Sequence, residues 1–181
     1  DPNETLIPFG IFLPNYDETY VYFTNSRITS DFIVDCLCDF WQTVQDRFPQ
    51  VKTLLLNQDN GREINSHRTQ FMNRITEFVD QNQMTIQLAY YPPYHSKHNP
   101  VERVWGVMEK HWNGSLLDSV RTVLNFAKTM TWNGNPPEVE LVEKAYPTGV
   151  CLSQKAMAEL EKRFERLPGL EKWFVRIEPL P

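Results

Sequence analysis

Asp59 closes the run Val51-Lys52-Thr53-Leu54-Leu55-Leu56-Asn57-Gln58 and is followed by Asn60-Gly61. Glu102 lies in the stretch Tyr91-Pro92-Pro93-Tyr94-His95-Ser96-Lys97-His98-Asn99-Pro100-Val101-Glu102-Arg103-Val104-Trp105. Carboxylates suit a hard divalent cation. Mg²⁺ takes octahedral oxygen ligands and keeps several waters, so a few carboxylates suffice when a phosphate completes the shell. Two such ions ~3.5–4 Å apart can activate an attacking oxygen and stabilise a leaving one in phosphoryl displacement. Lys97, His98, Arg103 and Lys110 stand near Glu102 in sequence and are candidate phosphate contacts, with ordinary solvated charge as the competing reading. A zinc site from His95, His98 and His111 has neither standard spacing nor partnering cysteines.

The surrounding elements must position these groups. The apolar run before Asp59 reads as a buried strand that delivers the acid at its C-terminal end, where open α/β sheets place their chemistry. Pro92 and Pro93 stop the preceding strand. Asn99 sits at an N-cap position, with Pro100 at the first helical place and Glu102 at capping-box spacing. Val101, Val104, Trp105, Met108 and Trp112 then form one apolar stripe. Glu102 thus reads either as a capping carboxylate, worth ~1 kcal/mol, or as a metal ligand at a helix mouth. The presence of Asp59 upstream favours the second.

The pairing of Gln58-Asp59-Asn60-Gly61 with the later Pro-Pro-Tyr-His-Ser-Lys-His-Asn-Pro-Val-Glu-Arg-Val-Trp resembles the DDE/DDD transposases of bacterial insertion sequences related to the mariner superfamily. The closest likeness is to the ISAzo-type branch, which also carries a late Tyr-Pro-Thr-Gly like Tyr146-Pro147-Thr148-Gly149. The resemblance implies an α/β, RNase H-like (retroviral-integrase-like) mixed sheet flanked by helices. It also implies three carboxylates holding two Mg²⁺ or Mn²⁺ ions that cut and join DNA at transposon ends. Asp59 matches the second carboxylate and Glu102 the third. The family's first aspartate lies on a first strand upstream of a stretch like Ile7-Pro8-Phe9-Gly10-Ile11-Phe12, and the chain starts at Asp1-Pro2, so that strand is expected to be missing. Asp17 is no substitute, because Pro14-Asn15-Tyr16-Asp17-Glu18-Thr19 reads as a hairpin turn.

These expectations follow: a C-terminal part of a catalytic domain, weak metal binding, and no strand transfer by this chain alone. The other class of function is a non-catalytic nucleic-acid-binding or interaction protein that keeps the fold. In the RNase H-like sheet the first strand is central, so Ile7 to Leu13 and Thr53 to Gln58 lose their shared neighbour. Direct pairing of the two, strand exchange in a homo-oligomer, or another segment in the slot is expected, since bare edges aggregate.

The 181 residues, 41% hydrophobic, suit a domain with a real core. Residues 1–132 are expected to form the catalytic core and 133–181 a C-terminal helical extension packed on it. A net charge of −5 argues against wholesale DNA coating and calls for local basicity instead. Three cysteines outside any C-x-x-C pattern and no long apolar run point to a reducing cytoplasm, with nucleoid association implied by the resemblance, and to no membrane partner.

In chain order, strands are expected near 6–13 and 19–24, with Gly10 marking a bulge. Ser30 caps a helix to about Arg47 with Ile33, Cys36, Leu37, Phe40, Trp41, Val44 and Phe48 inward. A helix over 67–82 and a strand over 84–91 imply a parallel pair with the Asp59 strand. Asp118 caps a helix through Met130, Ser153 caps a last helix that ends before Leu167-Pro168-Gly169, and Trp173 to Ile177 adds a strand or packs.

Overall fold

The computed structural model describes residues 5–92, 95, 98–115 and 117–181. In chain order its elements are β1 (Ile7–Leu13), β2 (Glu18–Thr24), α1 (Ser30–Val44), β3 (Thr53–Gln58), α2 (Thr69–Asn82), β4 (Thr85–Tyr90), α3 (Pro100–Trp112), α4 (Val120–Thr129), β5 (Glu138–Leu141), α5 (Gln154–Glu161), β6 (Phe164–Arg166) and β7 (Phe174–Ile177). The chain interleaves two units, residues 1–28 with 100–146, and residues 29–99 with 147–181.

The first unit grows from a hairpin. Alternating residues of β2 and the turn 14–17 bring β1 and β2 together antiparallel, from Ile7 opposite Thr24 to Leu13 opposite Glu18. Asp17 occupies the turn at φ +53°, as its neighbours suggested. Its carboxylate also accepts from Trp132 Nε1 at 2.9 Å and Asn133 Nδ2 at 3.0 Å, which ties the hairpin tip to the 132–135 turn. β5 adds parallel to β2, giving the order β1-β2-β5. Val21 and Phe23 from the sheet, Val104 and Met108 from α3, and Ala127 and Met130 beside α4 form the buried cluster.

The register through Gly10 is continuous, so the expected bulge does not form. Gly10 is instead where α3 approaches most closely. A Cβ placed there would lie 2.6 Å from Trp105 Cζ2 and 2.7 Å from its Cη2. Ser119, not Asp118, caps α4 by accepting from Thr122 N, while Asp118 accepts from the Thr122 hydroxyl.

In the second unit, β3 and β4 pair in parallel through the α2 crossover, as the spacing implied, and β7 and β6 follow antiparallel in the order β3-β4-β7-β6. Phe71, Ile75, Phe78 and Val79 of α2 are buried with Ile86, Leu88 and Tyr90 of β4. Thr29 rather than Ser30 caps α1, accepting from Phe32 N. Phe32 and Val34 are buried on α1, whereas Ile33 is only partly covered. The last helix begins at its Ser153 cap as expected but stops at Glu161, and the residues that follow form β6. Residues 133–181 therefore supply three strands as well as a helix.

Two expectations about the sheet edges are corrected. β3 is not a buried strand: it borders its sheet with β4 as its only strand partner among the described residues, and Leu55 is 53% exposed. Direct pairing of β1 with β3 does not occur among the described strands, since β1 pairs with β2 alone and β3 with β4 alone. Bare apolar edges invite intermolecular pairing. Leu55→Lys is expected to leave denaturant stability within ~0.5 kcal/mol and to reduce concentration-dependent aggregation measured by light scattering.

The C-terminal tail is held by Asp80. Its carboxylate receives Arg163 Nη1 and Nη2 at 2.8 and 2.6 Å and the Leu180 N–H at 3.2 Å. The Arg163 hydrogen bonds hold the Asp80 carboxyl below its ordinary value, against the effect of burial. A carboxyl depressed on folding stabilises the protein above its unfolded value, and that stabilisation is lost as pH falls through the folded one. At neutral pH, Asp80→Asn is expected to lower the melting temperature by about 2–4 °C, equivalent to ~1 kcal/mol. The gap should close on acidification below the ordinary aspartate value of 3.8. Thermal melts of both proteins across that range check it.

No helix among the described residues is long and apolar enough to cross a membrane.

Candidate metal carboxylates

Asp59 follows the last residue of β3. The ladder continues one step past that strand, with Tyr91 N–H donating to the Gln58 carbonyl at 2.9 Å, so the backbone just before the acid is fixed. The segment after it winds tightly. Ile64 N and Asn65 N both donate to the Gly61 carbonyl, at 3.3 and 3.0 Å, and Asn65 Nδ2 donates to the Arg62 carbonyl at 3.0 Å.

Three side chains and one backbone carbonyl from elsewhere in the chain pin this loop. Tyr90 donates its hydroxyl to the Ile64 carbonyl at 2.8 Å, and Ser30 donates to the Glu63 carbonyl at 2.7 Å. Ser66 is buried and donates to the Lys172 carbonyl at 3.1 Å, while Arg166 Nη2 donates to the Ser66 carbonyl at 2.9 Å. Burial pushes the Tyr90 phenol far above its ordinary value, so it keeps the proton it donates. The loop from Asn60 to Arg68 is thus a fixed support. Tyr90 and Ser30 were missed as supports. The available signal was that a buried tyrosine hydroxyl needs a partner.

The Asp59 carboxylate itself is exposed, and no hydrogen bond or ion pair engages it among the described residues. It lies over Gly61, where a Cβ would stand 3.3 Å from Asp59 Oδ1.

Glu102 is in the first turn of α3, which begins at Pro100 as the sequence predicts. Val104 and Met108 bury the helix on its sheet, and Trp105 seats against Gly10. Glu102 points away from that face. It is exposed and makes no hydrogen bond or ion pair among the described residues, so the reciprocal bond of a capping box is not formed. Its carboxylate is available, and the helix N-terminus favours negative charge there.

Of the expected phosphate contacts, Arg103 and Lys110 are exposed on α3 with Glu102, and His98 is exposed in the unit that carries Asp59. Lys97 lies outside the described residues. The rings of His95 and His98 stack at 5.8 Å. His111 is engaged with Thr129 Oγ1 at 2.9 Å, joining α3 to α4. Among the described residues no group of three or more His, Cys, Asp or Glu side chains could hold a metal ion.

No curated protein and no solved structure matches the chain. The family model described as the Rhodopirellula transposase DDE domain matches residues 1–179, nearly the whole sequence, and the chain therefore belongs to that family of insertion-sequence DDE transposase domains.

Proposed function

We propose that this chain is part of the catalytic domain of a mariner-related, ISAzo-type transposase, with Asp59 and Glu102 as two of the carboxylates that hold its divalent ions. The observation that carries the reading is that both acids are exposed and unengaged while their backbones are firmly held. Family membership supplies the reaction class, cleavage and joining of DNA at transposon ends. The donor chemistry fits: carboxylate oxygens at exposed positions suit Mg²⁺ or Mn²⁺. Such ions, when bound, supply charge stabilisation to the attacking and leaving phosphate oxygens.

The protein's own part is positioning. The pinned loop after β3 orients Asp59, and the Gly10–Trp105 contact seats the helix that carries Glu102. Arg103, Lys110, His98 and Lys97 supply phosphate contacts. An RNase H-like arrangement is the fold this reading implies. With Asp59 and Glu102 as ligands, the ion keeps several waters and is held weakly. Titration of the chain with Mn²⁺, followed by electron paramagnetic resonance, tests the reading. Weak binding abolished by Asp59→Asn or Glu102→Gln supports it, and binding unchanged in both variants contradicts it.

A further inference from the structure

The loop after Asp59 is organised by one side chain. Asn65 Nδ2 donates to the carbonyls of Gly61 at 3.3 Å and Arg62 at 3.0 Å, and its Oδ1 accepts from the His67 N–H at 3.1 Å. The Asn65 backbone ties the same two ends together. Its N–H donates to the Gly61 carbonyl at 3.0 Å, and its carbonyl accepts from Arg68 N at 2.9 Å. An amide fits this place and the isosteric aspartate does not, because one side meets an N–H and the other meets two carbonyl oxygens. With both sides of the amide taken by backbone groups, Asn65 is not itself a metal ligand.

Gly61 is where the loop meets the acid. A Cβ there would stand 3.3 Å from Asp59 Oδ1 and 3.6 Å from Ile64 Cγ1, so the carboxylate is seated over the backbone of that glycine. The other end of the loop is anchored by the C-terminal segment. Arg166 donates to the Ser66 carbonyl at 2.9 Å while the same guanidinium reaches the Glu171 carbonyl at 2.9 Å and the Glu161 carboxylate. Ser66, the chain neighbour of Asn65, is buried and donates to the Lys172 carbonyl at 3.1 Å. Resting on the metal reading above, we infer that Asn65 is a positioning residue, which holds Gly61, and with it the Asp59 carboxylate, against the end of the loop anchored at Ser66. A ligand kept in place by surrounding hydrogen bonds binds its ion more tightly than one that must be ordered when the ion arrives.

The test compares wild type with Asn65→Ala, Asn65→Asp and Asp80→Asn, by ¹⁵N relaxation without metal and by Mn²⁺ titration under electron paramagnetic resonance. Backbone order parameters at Asp59, Asn60 and Gly61 are expected to be about 0.85 in wild type and below about 0.6 in Asn65→Ala. The Mn²⁺ dissociation constant is expected to rise roughly 10-fold in Asn65→Ala. Asn65→Asp keeps the acceptor for His67 N–H and loses the donor to Gly61 and Arg62, so it should lose the same order. It is read by order alone, because its charge also attracts the cation. Asp80→Asn removes tail contacts near the last residues of α2, whereas the loop precedes the first. It should keep wild-type order and affinity, which separates positioning from a general loss of stability. Wild-type order in Asn65→Ala or Asn65→Asp would overturn the inference, as would an equal rise of the dissociation constant in Asp80→Asn. So would unchanged Mn²⁺ affinity in Asn65→Ala where Asp59→Asn abolishes binding. Binding that Asp59→Asn leaves unchanged would instead sink the metal reading, and the relaxation data, taken without metal, would still decide whether Asn65 holds the loop.

Discussion

Asp59→Asn and Glu102→Gln are each expected to reduce DNA cleavage by a transposase carrying this domain by at least ~10³-fold. The amide is nearly isosteric with the carboxylate and still offers an oxygen, but it lacks the charge that holds a hard cation, and such an ion contributes several kcal/mol of charge stabilisation at the transition state. Both side chains are exposed and unengaged among the described residues. Neither exchange breaks a native contact, so folding stability should stay within ~0.5 kcal/mol of wild type. This separation of activity from stability distinguishes a ligand from a structural acid. Glu109→Gln, on the exposed face of the same helix, is the control and should leave cleavage unchanged. Cleavage of a transposon-end duplex in Mg²⁺ and in Mn²⁺, alongside thermal melts, reads both halves.

The second large effect concerns the seat of α3. Gly10→Val is expected to lower the melting temperature by roughly 2–12 °C, the range given by 1–3 kcal/mol of overpacking in a chain of this size. Even a Cβ alone would stand 2.6 Å from the Trp105 ring and 3.5 Å from Val101 Cγ2, and an indole cannot bend aside as a flexible chain end could. The helix must shift, and Glu102 rides on its first turn. A double-mutant cycle with Trp105→Ala checks the cause. Removing the ring should cost less in Gly10→Val than in wild type, with a coupling of ~1 kcal/mol or more. Additive effects would mean that the two residues do not meet.

The parts of the fold that were legible in the sequence are those set by local period. The 3.6-residue stripe of Phe71, Ile75, Phe78 and Val79 and the alternation of Ile86, Leu88 and Tyr90 identify α2 and β4, and both faces are buried. What the sequence could not show is which strand lies beside which. The Leu54-Leu55-Leu56 run states that a strand is built to be covered, but a window of sequence does not reveal whether a neighbour is present. Adjacent capping residues posed the same difficulty on a smaller scale. Thr29 and Ser30 can both cap α1, and the choice falls to Thr29 because the Ser30 hydroxyl is drawn to the distant Glu63 carbonyl. Gly10 read as a bulge because its true constraint, a tryptophan from another element, is remote in the chain. Likewise the residues after Glu161 could extend a helix, and pairing with β7 turns them into β6. The places of Asp59 after a strand end and of Glu102 at a helix start were legible because each is announced by its own element. The loop that steadies Asp59 was not, since its supports at Ser30, Tyr90, Arg166 and Lys172 come from four separate parts of the chain.

The most direct measurement is an anomalous difference map from crystals of this chain grown with Mn²⁺. One peak within about 2.0–2.6 Å of carboxylate oxygens from both Asp59 and Glu102 is the expected result. Asp59 and Glu102 found in separate solvent regions, with no ion common to both at high Mn²⁺, would contradict the shared metal centre on which the transposase mechanism rests.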